Sequence, residues 1–335
     1  MRRIAPILFT AVLLAAPVDR GQTQTAPAGP VPSFATILSK SVVRITETVE
    51  GAPLPMGATG FLVGVPDTRL PMPNGAFVYL VTNRHVAEAI FPNTDDVPVR
   101  HKVLTMEAIV NLKEPVNGTR AHSISLPFPS TKWFFPDDTS IDLAVIPIPL
   151  SDTYDVVELT PANFFTPDLW EKYRIGPGDK LLTCGYFLHY AGAHQFQPIV
   201  REGSLAMVPD DTMPVPIGGN AKVYLADLHV IPGNSGSPLF LAPAFTLGGF
   251  VSDSNGGIPY GLLGVVSGYM WEDDQLTLRA ATDYEGTIHA NSGIAMIVPI
   301  GQLKDLLYDA ELQALRDNFF ANKPKALFSS GFFGH

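Results

Sequence analysis

Thirty-one prolines and 29 glycines punctuate this chain without any repeat period. Proline removes a backbone donor and glycine accepts turn conformations that other residues resist, so long helices are excluded from most of the chain. Between these breaks lie short runs rich in valine and isoleucine, the composition of strands joined by tight turns. The spacing predicts strands over 41–49, 57–65, 76–82, 102–112 and 141–148. After a less regular connection at 151–173, further strands are expected over 180–186, 198–208, 221–228, 261–267 and 293–299. The period then changes. Leu303, Leu306, Leu307, Ala310 and Leu315 recur at helical spacing, which predicts one amphipathic helix. Two series of strands and a closing helix imply an all-β fold of two barrels or sandwiches. The expected division is an N-terminal barrel over 34–150, a C-terminal barrel over 151–300, a helix over 301–321 and a tail over 322–335.

With 335 residues, 46% apolar content and 16% charge, the chain can bury a large core. Its net charge of -10 comes without a basic stripe, which argues against nucleic acid as a partner. Arg2 and Arg3 precede an apolar run from Ile4 to Ala16, the pattern of an export signal over 1–16. That run is shorter than the roughly 20 residues a spanning helix needs, so no stable membrane span is expected once it is removed. An uncleaved interfacial anchor is the alternative. Residues 17–33 read as a disordered lead-in. The expected location is therefore periplasmic or extracellular. Cys184 is the only cysteine, so no internal disulfide can form. No HExxH or clustered His/Cys pattern occurs, and neither a metal nor another cofactor is expected. Asn117-Gly118-Thr119 matches a glycosylation sequon by pattern. Oligomeric state is not encoded in any recognisable way.

One stretch stands apart. Ile231 to Pro238 reads IPGNSGSP and sets Ser235 between glycines on a shaped loop. A serine nucleophile needs a base, and the base needs an orienting group. Of eight histidines, His85 has the setting a base requires, at the end of a buried strand in LVTNRHVAEAI. Taken alone it reads as a structural or surface histidine. Asp142 opens the apolar strand IDLAVIPI, where a carboxylate is costly without a partner. By itself it also fits a solvated strand-entry residue. The conjunction is more specific: His85, Asp142 and Ser235 occur in the order of the chymotrypsin-type triad.

At these residues the chain resembles the trypsin-like (chymotrypsin-fold) serine peptidases, especially the bacterial branch with the HtrA or Deg-type proteases. The matching segments are TNRHV at 82–86, IDLAVIPI at 141–148, PGDKLLTCGY at 177–186, PGNSGSP at 232–238 and SGIAMIVPIGQLKDLL at 292–307. The resemblance implies two antiparallel Greek-key β-barrels with a C-terminal helix and a site in the cleft between them. His85 and Asp142 would come from the first barrel and Ser235 from the second, acting on a peptide or protein substrate. The backbone N–H groups of Gly233 and Ser235 would form the oxyanion hole. His229, Val230, Ser267, Gly268 and Tyr269 would line the substrate pocket. Without an aspartate at its base, that pocket would favour small or medium apolar side chains over Lys or Arg.

The chain also departs from the family. Ser237 replaces the second glycine of GNSGGP, which implies a local packing change more than lost activity. The stretch from Phe91 to Ser140 is long and leaves room for an extra hairpin. The few residues after Leu307 leave no room for a PDZ domain. Asn234 stands where switchable zymogens carry an aspartate, so no ammonium-triggered switch is expected. A catalytically silent peptide- or protein-binding module and an ester hydrolase on the same scaffold are the competing readings.

Overall fold

The computed structural model describes residues 34–52, 54–71, 75–92, 97–126, 132–241, 261–278 and 284–321. The expected signal, lead-in and tail lie outside the described residues. Within them the chain folds into two six-stranded antiparallel units. The first holds β1 (Val42–Val49), β2 (Met56–Pro66), β3 (Ala76–Thr82), β4 (Val103–Val116), β5 (Thr119–Ser125) and β6 (Ala144–Pro147). The second holds β7 (Lys180–Gly185), β8 (Ile199–Met207), β9 (Tyr224–Asp227), β10 (Pro238–Leu241), β11 (Gly261–Leu278) and β12 (Tyr284–Pro299).

The sheet order of the first unit is β5-β4-β1-β2-β3-β6. In the second it is β8-β9-β12-β11-β10-β7, with β7 paired back to β8. In each unit the fourth strand returns to lie beside the first, as β4-β1-β2-β3 and β10-β7-β8-β9. That is the Greek-key order. The second unit closes into a barrel because β11 pairs with β12. Among the described residues no ladder joins β5 to β6, so the first unit is closed by side chains rather than by hydrogen bonds. Its core packs Val43, Ile45, Leu62, Leu80, Met106 and Trp133.

The sequence places β2, β3 and β7 well, because β-branched and aromatic runs end at glycine or proline. It misses β10, which begins at Pro238. Proline is tolerated there as the first residue of a strand. Asn117 and Gly118 form a two-residue turn with φ of 51° and 80° between β4 and β5, which supplies a hairpin in the long Phe91 to Ser140 stretch. Three short α-helices, α1 (Phe34–Lys40), α2 (Arg84–Ala87) and α3 (Pro167–Tyr173), lie among the strands. The helix expected over 301–321 is two helices, α4 (Ile300–Leu307) and α5 (Ala310–Ala321). Asp309 causes the break. Its carboxylate accepts the Leu312 N–H at 2.7 Å and so caps α5.

A shared apolar core joins the units. Phe61, Tyr79, Val81 and Leu143 of the first pack with Cys184, Tyr186, Phe240 and Val265 of the second, and with Leu303 and Leu312 of the helices. Arg316 on α5 is buried and donates to Tyr79 Oη at 3.0 Å and to the Leu307 carbonyl at 2.9 Å. It ties the last helix to β3.

Candidate active site

His85 stands in α2, the single helical turn after β3, and Asp142 in the approach to β6. These two segments are neighbours because β3 pairs with β6, with Thr82 opposite Ala144. Asn83 reinforces the approach by donating its side-chain amide to the Asp142 carbonyl at 2.9 Å. The Asp142 carboxylate is 2% exposed as a residue and is held by three donors. Its Oδ1 accepts the His85 backbone N–H at 3.0 Å, one of the donors that a helix start leaves unpaired. Its Oδ2 lies 2.8 Å from His85 Nδ1 and also accepts the Ser267 hydroxyl. Burial pushes the Asp142 carboxyl up, but the His85 charge and these hydrogen bonds outweigh it and hold it below the usual carboxylate range. An ionised Asp142 requires Nδ1 to carry the proton, which leaves Nε2 of a neutral His85 as the free base.

Ser235 comes from the second unit, on the loop between β9 and β10. Its hydroxyl donates to the Ser267 carbonyl at 3.3 Å. Ser267 therefore spans the site: its carbonyl receives Ser235 and its hydroxyl reaches Asp142. Among the described residues no direct hydrogen bond joins Ser235 Oγ to the imidazole. His85 and Asp142 meet directly, and Ser235 joins them through Ser267. The sequence pointed to Ser267 only as a pocket residue. Nothing in VVSGY marks it as the link to the carboxylate.

The serine loop is held from both sides. Ile231-Pro232-Gly233-Asn234 is closed by Asn234 N–H donating to the Ile231 carbonyl at 3.0 Å, and Gly233 has φ +99°. Proline second and a positive-φ glycine third define a type II turn. Among the described residues neither the Gly233 nor the Ser235 N–H donates to a protein acceptor. Asn234 is 2% exposed, and its side chain accepts the Ile231 N–H at 3.0 Å and donates to the Tyr186 carbonyl at 2.9 Å. Both ends of this amide are satisfied by backbone, as a neutral side chain allows.

Thr59 on β2 clamps the same loop from the first unit. Its hydroxyl donates to the Gly233 carbonyl and accepts the Tyr186 N–H, each at 2.8 Å, while its N–H donates to the Ser235 carbonyl at 2.9 Å. Thr82 in turn donates to the Thr59 carbonyl at 2.8 Å. A Cβ on Gly236 would lie 2.0 Å from the Thr59 carbonyl oxygen, so only glycine permits this approach. Ser237 is fully buried beside Gly185, and its hydroxyl has no partner among the described residues. Thr59 and Thr82 went unrecognised in the sequence because strand threonines are common.

The remaining pocket residues separate. His229 is exposed. Val230 is 1% exposed, and its side chain belongs to the core of the second unit, against which Tyr269 packs. Open space lies beside Gly268. Burial pushes the Cys184 thiol up to about 12, so the one cysteine is an inert core residue and no rival nucleophile. Among the described residues no group of His, Cys, Asp and Glu is arranged to hold a metal ion.

The fold and site so defined are a two-unit Greek-key β protein with a serine, histidine and aspartate gathered between the units. No family model and no curated protein matches the chain. Solved structures do. The MamO protease domain from Magnetospirillum magneticum is similar at 15% identity, over 83% of this chain and 100% of its own, with a TM-score of 0.42. Deg5 is similar at 19% identity over 80% and 88%, with a TM-score of 0.41. The active form of the Rv3671c protease from M. tuberculosis is similar at 18% identity over 88% and 93%, with a TM-score of 0.40. Likenesses at such scores say nothing about the reaction, for which the geometry of the site is the only guide.

Proposed function

We propose that this chain is an exported serine endopeptidase that cleaves peptide bonds through Ser235, His85 and Asp142. The observation that carries this reading is Ser267, whose carbonyl receives Ser235 and whose hydroxyl reaches the Asp142 carboxylate that holds His85, beside a type II turn whose Gly233 and Ser235 N–H groups have no acceptor among the described residues. In this mechanism Ser235 Oγ turns from the Ser267 carbonyl toward His85 Nε2, gives up its proton there and attacks the substrate carbonyl. The N–H groups of Gly233 and Ser235 receive the developing oxyanion. His85 then passes the proton to the leaving amine, and Asp142 stabilises the imidazolium meanwhile. Water attacks the resulting acyl-enzyme, again with His85 as base, and frees Ser235. Without an aspartate among His229, Val230, Ser267, Gly268 and Tyr269, the pocket would favour small or medium apolar side chains over Lys or Arg.

A second reading, a silent peptide-binding module, draws on one observation. Ser235 Oγ bonds the Ser267 carbonyl instead of the imidazole. Apo sites often show such slack, which tightens only with substrate bound. Labelling with a fluorophosphonate separates the two readings. The peptidase gains one phosphonyl group on Ser235, at a rate that collapses in His85→Ala. A silent module stays unlabelled at every probe concentration. Sequencing of the mature N-terminus tests export, with removal of the signal over 1–16 as the expected result.

A further inference from the structure

Arg44 on β1 is a cation outside the triad and its supports. It is half-buried, and its Nε is shielded from solvent without a hydrogen-bond acceptor among the described residues. Thr46, one repeat along the same face of the strand, carries a second such atom, because its Oγ1 is also buried and unpartnered. Unpaired donors in such surroundings are costly, so the pair is a poor solution for stability alone. Three contacts place it beside the serine loop. Arg44 stands directly across from Thr59, whose hydroxyl holds the Gly233 carbonyl and the Tyr186 N–H. Its guanidinium carbon lies 5.5 Å from the centre of the Tyr186 ring. Cδ1 of that ring lies 3.0 Å from where a Cβ on Gly233 would stand. Arg44 is therefore within about 10 Å of the proposed oxyanion turn.

We infer that Arg44 and Thr46 form a carboxylate-binding site for the substrate chain on the leaving side of the cleaved bond. The side of the bond rests on the peptidase reading; the carboxylate chemistry does not. His85, from the first unit, gives its proton to the leaving amine, so the departing chain lies over the first unit, where β1 and β2 run. An extended chain advances about 3.3 Å per residue, which brings its second or third residue level with Arg44. The ligand chemistry follows from the donors. Guanidinium N–H groups only donate, and a hydroxyl adds one more donor, which together match the oxygens of a carboxylate. That carboxylate is an Asp or Glu side chain, or the free C-terminus of a short substrate.

A plainer account is that Glu107 balances Arg44. It stands across from Thr46 on β4, diagonal to Arg44, yet no ion pair joins the two among the described residues. Peptide binding to Ser235→Ala decides between the accounts without needing turnover. The probes carry fluorescein at the N-terminus and are read by anisotropy. They are Ala-Ala-Val-Ala-Glu-Glu-Ala amide, its Gln-Gln and Lys-Lys counterparts, and Ala-Ala-Val-Ala-Gln with a free or an amidated C-terminus. The Glu-Glu peptide is expected to bind about tenfold more tightly than Gln-Gln. The net charge of -10 opposes such a preference, so it must come from a local cation. A preference for the free over the amidated short peptide supports the same site and identifies a chain terminus as its source of carboxylate. Adding Arg44→Met, which keeps a stem beside Tyr186, should erase these preferences, and adding Arg44→Glu should turn them toward Lys-Lys. Equal affinity for the charged and neutral members of both pairs overturns the inference, and this comparison needs no change at Arg44. A preference that persists in Arg44→Met overturns it too. A preference that depends on Arg44 in a protein that resists fluorophosphonate would instead leave the carboxylate site standing and sink the peptidase reading.

Discussion

The two units have one strand order and two different closures. In both, the fourth strand lies beside the first and the sixth beside the third. The loop between the third and fourth strands carries His85 in the first unit and Ser235 in the second. The connection between the fifth and sixth strands carries Asp142 in the first unit, while in the second these two strands are the longest, Gly261–Leu278 and Tyr284–Pro299. Equivalent places in one topology thus hold the proposed base and the proposed nucleophile. The difference is in the fifth and sixth strands. Paired, they close the second unit and run outward. Unpaired among the described residues, they leave the first unit free to bring an aspartate inward at the mouth of its sheet. The proposed site draws on both units, and Thr59 and Ser267 are among the residues that link them there.

The largest test of this division removes one contribution from each unit. Ser235→Ala and His85→Ala should each lower kcat by about 10⁴–10⁶, and Asp142→Asn by about 10⁴ through the wrong tautomer, in peptide cleavage assays. A smaller loss by the first-unit residues would make the second unit the sole catalytic half. Next comes the turn. Gly233→Ala meets a φ of +99° and sets a Cβ 3.0 Å from Tyr186 Cδ1, so the type II turn should distort. The expected cost is about 10²–10³ in kcat, that of one oxyanion donor, with KM little changed. Thr59→Val keeps the shape but loses the hydroxyl that spans from β2 to the Gly233 carbonyl and the Tyr186 N–H. It should cost at least about tenfold in kcat, equivalent to about 1.4 kcal/mol. Unchanged kcat would show that the second unit shapes its loop unaided.

Two stability measurements sharpen the comparison. Arg316→Met leaves Tyr79 Oη and the Leu307 carbonyl without their donor and should destabilise by about 1–3 kcal/mol in urea unfolding. The smallest effect concerns Glu47, whose side chain lies on the core face of the first unit with Val43, Ile45 and Val49. It is 3% exposed, and burial pushes its carboxyl up to about 8. A carboxyl raised in the folded state binds its proton there and not in the unfolded chain between about 4.5 and about 8, so stability falls as pH rises through that window. Glu47→Gln should flatten this decline. Thermal melts at pH 5 and pH 8.5 should show the variant gaining on wild type at the higher pH. A constant difference would mean that the carboxyl is ionised throughout.

How far the sequence speaks depends on the residue. His85, Asp142 and Ser235 were legible because each is a polar residue at the edge of an apolar run, with a setting that chemistry can justify. Strands ending at glycine and proline were legible for the same reason of contrast. Glu47 was not singled out, although alternation in VVRITETV sets it on the face of Val43, Ile45 and Val49. Ser267 and Thr59 were not legible, because a hydroxyl inside a strand looks the same whether it bridges two units or faces solvent. The open edge of the first unit and the closed barrel of the second depend on which distant strands meet, which a local period does not encode. The break at Asp309 was missed because leucine spacing continues across it, and only the cap divides one helix from two.

The central claim is that a base from the first unit and a nucleophile from the second act as one device. It is tested most directly by kcat/KM for Ser235→Ala, His85→Ala and their combination. The account predicts that the double variant is no slower than either single one, because each alone already disables the pair. Losses that multiply would contradict it, as would a His85→Ala protein that keeps wild-type turnover.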